Sequence, residues 1–484
     1  MRAAPVAAGA LTVIAAAAYS AISIYRHERF GSSLDLAIQD QTIWGYSRLT
    51  IIPNTVLEIR NLLGDHFHPL LMLLAPLFWT WSSPEMLLIA QGVLLAAAGI
   101  PIYMWGAKRL GELEGLAFQG SYLVFWGILA GVLFDFHNVV IAVPVISAAL
   151  YAALERHTRL LWAMVALAML TREDIALTLI ALGFYIVVVQ HRYILGAAIM
   201  GLNAIWFVLV LEVVIPAIRG GPYLHWTYTD LGTGPTSAAL FVITHPLQSL
   251  ELLFVPLAKT RIWVGMLASW LFLPILSPIS LIAIPYLAER FWSASPTFWS
   301  FHFEYSMVPA PILAFAAIDT VARVKRMLGG QLARRAVAVA SIGVVVAGAL
   351  LSFLINPLDE LATYVSALTA ADIQACLDVI PADASVAATQ GLLAHLSHRQ
   401  AIYQIPDGHD TAADYIAIDL ASDGNNEQQL RDLVRSVLGN GYGIACSREL
   451  TLVLARSGAT DQALPPQMVR WLNGECEGRA CMPA

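Results

Sequence analysis

Charge is what this chain has least of. Asp, Glu, Lys and Arg make up 13% of its 484 residues, about half the share usual in a soluble domain. Lysine occurs only at 108, 259 and 325. With a net charge of −7 and neither a basic run nor basic residues interleaved with aromatics, the composition excludes a nucleic-acid partner. No cysteine precedes Cys376, so disulfides are confined to the last quarter of the chain.

What fills the space left by charge is apolar. Hydrophobic residues reach 58% and mean hydropathy is +0.68, the profile of a polytopic membrane protein. Runs long enough to cross a bilayer fall at about 6–24, 86–106, 114–133, 138–154, 160–171, 174–190, 193–216, 246–258, 262–286, 306–322 and 336–355. That predicts about eleven transmembrane helices, the first a signal anchor, since further spans follow it.

The basic residues give an orientation. With the N-terminus inside, alternate turns collect Lys108/Arg109, Arg156/Arg159, Arg192, Lys259/Arg261, Arg323/Lys325/Arg326 and Arg334/Arg335, while longer external loops hold fewer. An odd number of spans then puts the C-terminal part outside, where Cys376, Cys446, Cys476 and Cys481 cluster as expected of an oxidising compartment. Cys476 and Cys481 are close enough for a small loop disulfide, though free thiols would fit the spacing too.

The expected architecture is an all-α polytopic membrane domain over 1–358 and a small extracytoplasmic α/β domain over 359–484. In the latter, 382–419 and 426–456 read as short strands alternating with helices, without a phosphate-loop or dinucleotide fingerprint. The first external loop, 25–85, is far longer than a connection needs. Its run 70–81 is too short to span and is broken by Ser82-Ser83-Pro84, so it reads as an interfacial or re-entrant helix.

That loop holds the ionisable residues that most need explaining: Asp35, Asp40, Asp65, His66 and His68. Carboxylates kept beside a bilayer are costly unless used, and a carboxylate near imidazoles suits a general base or a divalent cation, Mg or Mn. A helix cap, a loop salt bridge or a hydrogen-bonded loop would use the same residues without chemistry. Three other external breaks carry polar clusters: Asp135 and His137 in FDFHN, Arg172-Glu173-Asp174 in TRED, and His302, Glu304 and Tyr305 in an aromatic loop. If they converge with the first loop, they form an acidic cavity with neighbouring cations, suited to a phosphate-bearing donor and a hydroxyl acceptor.

The succession of first helix, long loop with an early Asp, DHFHPLL, interfacial helix, AKRLG and FDFHN resembles the polyprenyl-phosphate-sugar-dependent glycosyltransferases of the C type (GT-C). It most resembles a bacterial predicted-membrane-protein family related to them, with LTREDIAL, FxFEYSMVPAP, LLAHLSHRQAIYQIP and ADYIAIDL as further motifs. The resemblance implies an inverting membrane glycosyltransferase acting on an envelope glycan, lipid or protein at the outer face of the cytoplasmic membrane, among membrane lipids. It also implies that Asp35, Asp40 or Asp65, in that order of match, is the base. Asp135 loosely matches a second acidic position, and Arg172, His302 or Tyr305 would contact the donor phosphate. A lipid or solute transporter or flippase, or a non-catalytic envelope-assembly protein, are the competing readings. The first would need polar residues deep within spans and inverted repeats, whereas the charges here gather at one face.

Overall fold

The computed structural model describes residues 3–481 except 356–357, 359–363, 407–411, 421–426, 449–450, 458–463 and 478–480. The expected boundary between 358 and 359 therefore falls at the edge of a stretch outside the described residues. Helices make up most of the chain, and a small sheet lies near the C-terminus.

Among the described residues, five helices are long and apolar enough to cross a membrane: Ala3–Glu28 (α1), Glu85–Arg109, Tyr193–Arg219, Glu304–Leu328 and Gly330–Ile355. A sixth is obtained if Glu112–Leu123 and Trp126–Leu133, bent by 42°, count as one span. Apolar helices over Asn138–Leu154, Thr158–Met169 and Ile175–Val188 are shorter.

Contacts define two ends of this bundle. At one end Lys108 and Arg109 pair with Glu155, and Lys325 caps the carbonyls of Arg109 and Leu110. The Pro309–Leu328 helix runs from there for 20 residues, about 30 Å at helical rise, to the end where Glu304 and Tyr305 sit.

Two expected spans need correction. The stretch 246–258 holds a short helix, Pro246–Leu252, followed by a turn, and 262–286 is split between Leu257–Ala268, two 3-10 turns and Ile284–Trp292. Prolines at 246, 256, 274, 278 and 285 remove the backbone donors that a continuous helix needs. Lys259, expected in a cytoplasmic turn, is buried, donating to the Leu252 carbonyl and lying 4.3 Å from the centre of the Trp299 ring. It belongs to the same end as the aromatic 289–306 loop. The segment 70–81, expected as an interfacial helix, is a 3-10 helix over Pro69–Trp79 with Pro76 inside it.

The C-terminal sheet runs in the order β2-β1-β3-β5-β4. Strands β1 (Val386–Ala388), β2 (Ile402–Gln404) and β3 (Tyr415–Asp419) are parallel, while β4 (Gly443–Arg448) and β5 (Thr451–Ala455) form an antiparallel pair, with β5 against β3. Cys376–Cys446 ties the Ala367–Leu377 helix to β4, and Cys476–Cys481 closes the short loop.

The parallel pair β1–β2 needs a crossover, and that crossover (389–401) is where the domain meets the bundle. The Ser397 hydroxyl donates to Asp40 at 2.5 Å, and His398 Nε2 lies 2.9 Å from the same carboxylate. His395 stacks on His27 with ring centres 4.1 Å apart, and Gln41 and Thr55 meet Arg399 and Ile402.

Candidate functional site

The site is organised by the start of one helix. Leu34–Ser47 (α2) begins after Ser33, which is extended and supplies no side-chain cap of its own. The cap comes from elsewhere. Asp135 is fully buried and accepts hydrogen bonds from the backbone N–H of Ser33 (2.8 Å), the Ser33 hydroxyl (2.8 Å) and the N–H of Leu36 (3.1 Å). Its other oxygen pairs with Arg26 Nη1 at 2.6 Å. A carboxylate here satisfies donors the helix leaves open and complements its positive end. Gly31 leaves room for the close approach, since a Cβ there would lie 2.7 Å from the Tyr364 ring and 2.9 Å from Arg26.

Asp35 occupies the first turn of this capped helix. It lines a cavity of about 450 Å³ together with His66, His137, Arg172, Glu173, Asp174, Tyr223, His225, Tyr228, Glu289, Glu304, Tyr305 and Gln390. Burial pushes the Asp35 carboxyl up to about 6, with His137 working to lower it and Asp135 and Glu304 to raise it further. At neutral pH it is an ionised carboxylate matched to accepting a proton.

Around it, pairs neutralise one another. Arg172 holds Asp174 through Nε (2.6 Å) and Nη2, leaving Nη1 outside that fork. Glu173 takes His66 Nδ1 at 2.5 Å and the Phe67 N–H at 2.9 Å. Burial works against the Glu173 charge, but the His66 contact outweighs it and the carboxyl is lowered. Glu289, hydrogen-bonded by the Tyr228 hydroxyl, goes the other way: burial, reinforced by Asp174, pushes it up to about 8. The cavity thus brings together the Asp35 carboxylate, a Glu289 carboxyl pushed toward its neutral form and the Arg172 guanidinium, with aromatic side chains among its lining.

The remaining expected residues fall into three groups. Asp65 and His68 sit beside the cavity without lining it: Asp65 pairs with His225 (2.8 Å) and Arg219 (3.7 Å), and burial lowers His68 to about 4. Asp135 lies beneath Asp35 as the cap. Asp40 and His302 are elsewhere: Asp40 is buried against Ser397 and His398 in the domain contact, and His302 is exposed. Asp40 faces away because five helical residues from Asp35 is well over one turn.

A divalent metal fits one corner. Ligand atoms of Asp65, His66 and His225 lie within 4.8 Å of one another. One carboxylate with two imidazoles suits Mn or a softer transition metal better than Mg.

The chain matches the family described as "Predicted membrane protein (DUF2079)" over residues 26–452. It belongs to that family. No curated protein matches it in sequence. Among solved structures, ArnT from Cupriavidus metallidurans bound to undecaprenyl phosphate aligns with a TM-score of 0.51 at 13% identity, covering 93% of this chain and 99% of that one. The apo form of the same protein aligns at 0.50 and 13%, covering 88% and 94%. At this identity the likeness shows the fold, which is that of the GT-C glycosyltransferases. Archaeal oligosaccharyltransferase AglB from Archaeoglobus fulgidus aligns more distantly, at 0.39 and 11%, covering 92% and 74%.

Among the residues lining the cavity of this DUF2079 protein, sequence reasoning missed Tyr223, His225, Tyr228, Glu289 and Gln390. The tyrosines stood in a loop noted only as aromatic. Glu289 lies in the last turn of the sharply amphipathic helix Ile284–Trp292, a signal that the assumed span to 286 concealed. Gln390 belongs to the C-terminal domain, and nothing in its local sequence points to the membrane part.

Proposed function

We propose that this cavity transfers a sugar from a polyprenyl-phosphate donor to a hydroxyl of an envelope glycan, lipid or protein, with inversion. The observation that carries the reading is Asp35, fixed by the Asp135 cap at the mouth of a cavity shared with Arg172, in a fold common to GT-C enzymes. The acceptor O–H proton passes to Asp35 as the oxygen attacks the anomeric carbon on the face opposite the phosphate. The bond from that carbon to the phosphate oxygen breaks, and the lipid phosphate leaves with one more negative charge. An inverting displacement of this kind needs one base and a stabilised leaving group. Arg172 Nη1 is the cation that can meet that charge, and a metal at Asp65, His66 and His225 would add to it.

The charged turn around Lys108, Glu155 and Lys325, at the other end of the bundle, supports an extracytoplasmic site at the inner membrane with the N-terminus inside. Residues 1–358 would then form the membrane domain and 359–484 an outer domain that closes one side of the cavity through Gln390.

The test uses purified protein in nanodiscs, a panel of radiolabelled polyprenyl-phosphate sugars and an envelope extract as acceptor, reading release of lipid phosphate. Asp35→Asn is expected to keep the fold and lower turnover roughly a hundredfold or more, the scale of a lost general base. Wild-type turnover in that variant would sink the assignment, and substrate movement across vesicles without turnover would favour the transporter.

A further inference from the structure

One imidazole in the cavity lies between two carboxylates. His137 Nδ1 is 4.0 Å from Asp35 Oδ1, and its Nε2 is 3.3 Å from Glu304 Oε1. Glu304 is 2% exposed, and its second oxygen has no hydrogen-bond partner among the described residues. A buried carboxylate left half-satisfied costs free energy that packing alone does not return. Its place is nevertheless enforced from behind. Arg290 Nη1 donates to Ser306 (2.8 Å) and its other nitrogens to the Phe298 and Ser300 carbonyls, fixing the 304–306 turn. Gly127 admits that turn, since a Cβ there would stand 2.4 Å from Ser306 Cβ.

We propose that His137 and Glu304 are positioning residues for Asp35: Glu304 holds the ring, and the ring sets the direction of the Asp35 carboxylate and the pH at which it becomes a base. His137, at 4.0 Å, works to lower the Asp35 pKa, whereas the Glu304 carboxylate beyond it works to raise it. The two act on Asp35 with opposite sign. Of the other charged groups around Asp35, Asp135 raises its pKa and Arg26 lowers it, and Arg172, Glu173, Asp174 and Glu289 line the same cavity. Asp135 and Arg26 act with opposite sign and are joined in a 2.6 Å pair that also holds the helix cap. His137 and Glu304 are therefore the groups through which the site tunes its base. Neither touches the reacting atoms in this arrangement.

The inference rests on the proposed function for what Asp35 does, but its test needs neither donor nor acceptor. Water-soluble carbodiimide with an amine nucleophile labels protonated carboxyls, and mass spectrometry of the Asp35 peptide across pH 4–9 gives its half-labelling pH in the full-length protein. The wild type is expected near 6. Glu304→Gln should move the midpoint down and His137→Gln up, each by roughly one unit. Size-exclusion profiles and melting curves in detergent identify any variant that fails to fold, for which the uncharged Glu304→Met and His137→Asn are substituted. Midpoints that stay at the wild-type value, or that move in the same direction in both variants, overturn the proposal. Opposed shifts in a protein that shows no transfer would leave the positioning roles of His137 and Glu304 standing and remove only the transferase reading.

Discussion

Replacing Asp135 with Asn tests the scaffold on which the candidate base stands. Asn is the same size and can keep one oxygen toward Ser33 and Leu36, so the helix cap survives in part. The other position becomes an NH2 facing the Arg26 guanidinium, where Oδ1 accepted at 2.6 Å. Arg26 is about 6% exposed, so the variant strands a buried cation. Removing one partner of a buried pair costs about 3–5 kcal/mol. The Tyr364 hydroxyl, which still accepts from Arg26 Nε at 3.2 Å, softens this toward the lower bound. Thermal unfolding in detergent, followed by tryptophan fluorescence, measures the loss in Asp135→Asn, Arg26→Met and the double variant. With Met at 26 no cation is stranded, so Asp135→Asn should then cost under about 1 kcal/mol, giving a coupling of roughly 2 kcal/mol or more. Losses that simply add, or a single variant as stable as wild type, would refute the account of Asp135 as cap and counter-ion.

Other outcomes follow from the same geometry. Because burial raises Asp35 to about 6 and the base must be ionised, transfer should rise with pH through 6, and an acid limb near 4 in a pH–rate profile would contradict it. Gly127→Ala drives a methyl into Ser306 and should cost about 1–3 kcal/mol, read in the same melts, while displacing Glu304. Breaking Cys376–Cys446, a separation of 70 residues, should remove about 4 kcal/mol by loop entropy and speed hydrogen exchange in β3 and β5. Binding of Mn, followed by electron paramagnetic resonance, should be lost in His225→Ala, and equal binding by both proteins would rule out the metal corner.

The contrast between Asp35 and Asp40 marks where sequence stops. Both lie in the first loop with the same residue type, and spacing alone ranks them only by resemblance. The fold separates them because α2 turns Asp35 into the cavity and Asp40 against Ser397 and His398, in a domain about 360 residues away in sequence. The 246–286 region was misread for a related reason. Hydropathy registers apolar content, whereas the prolines that break those runs and the burial of Lys259 against Trp299 depend on neighbours.

By itself the sequence determined the membrane class, the mostly helical architecture with a small C-terminal sheet, and the DHFHP, FDFHN and TRED clusters as places where charge beside a bilayer needs a reason. Those are properties of composition and local order, set by the cost of polar groups in hydrocarbon. Only the tertiary structure decided that Asp135 is a cap for another helix, that Glu289 and Gln390 join the cavity, and that one imidazole spans Asp35 and Glu304. Each of these depends on distances between segments a hundred or more residues apart, and nothing local to either segment encodes such a distance.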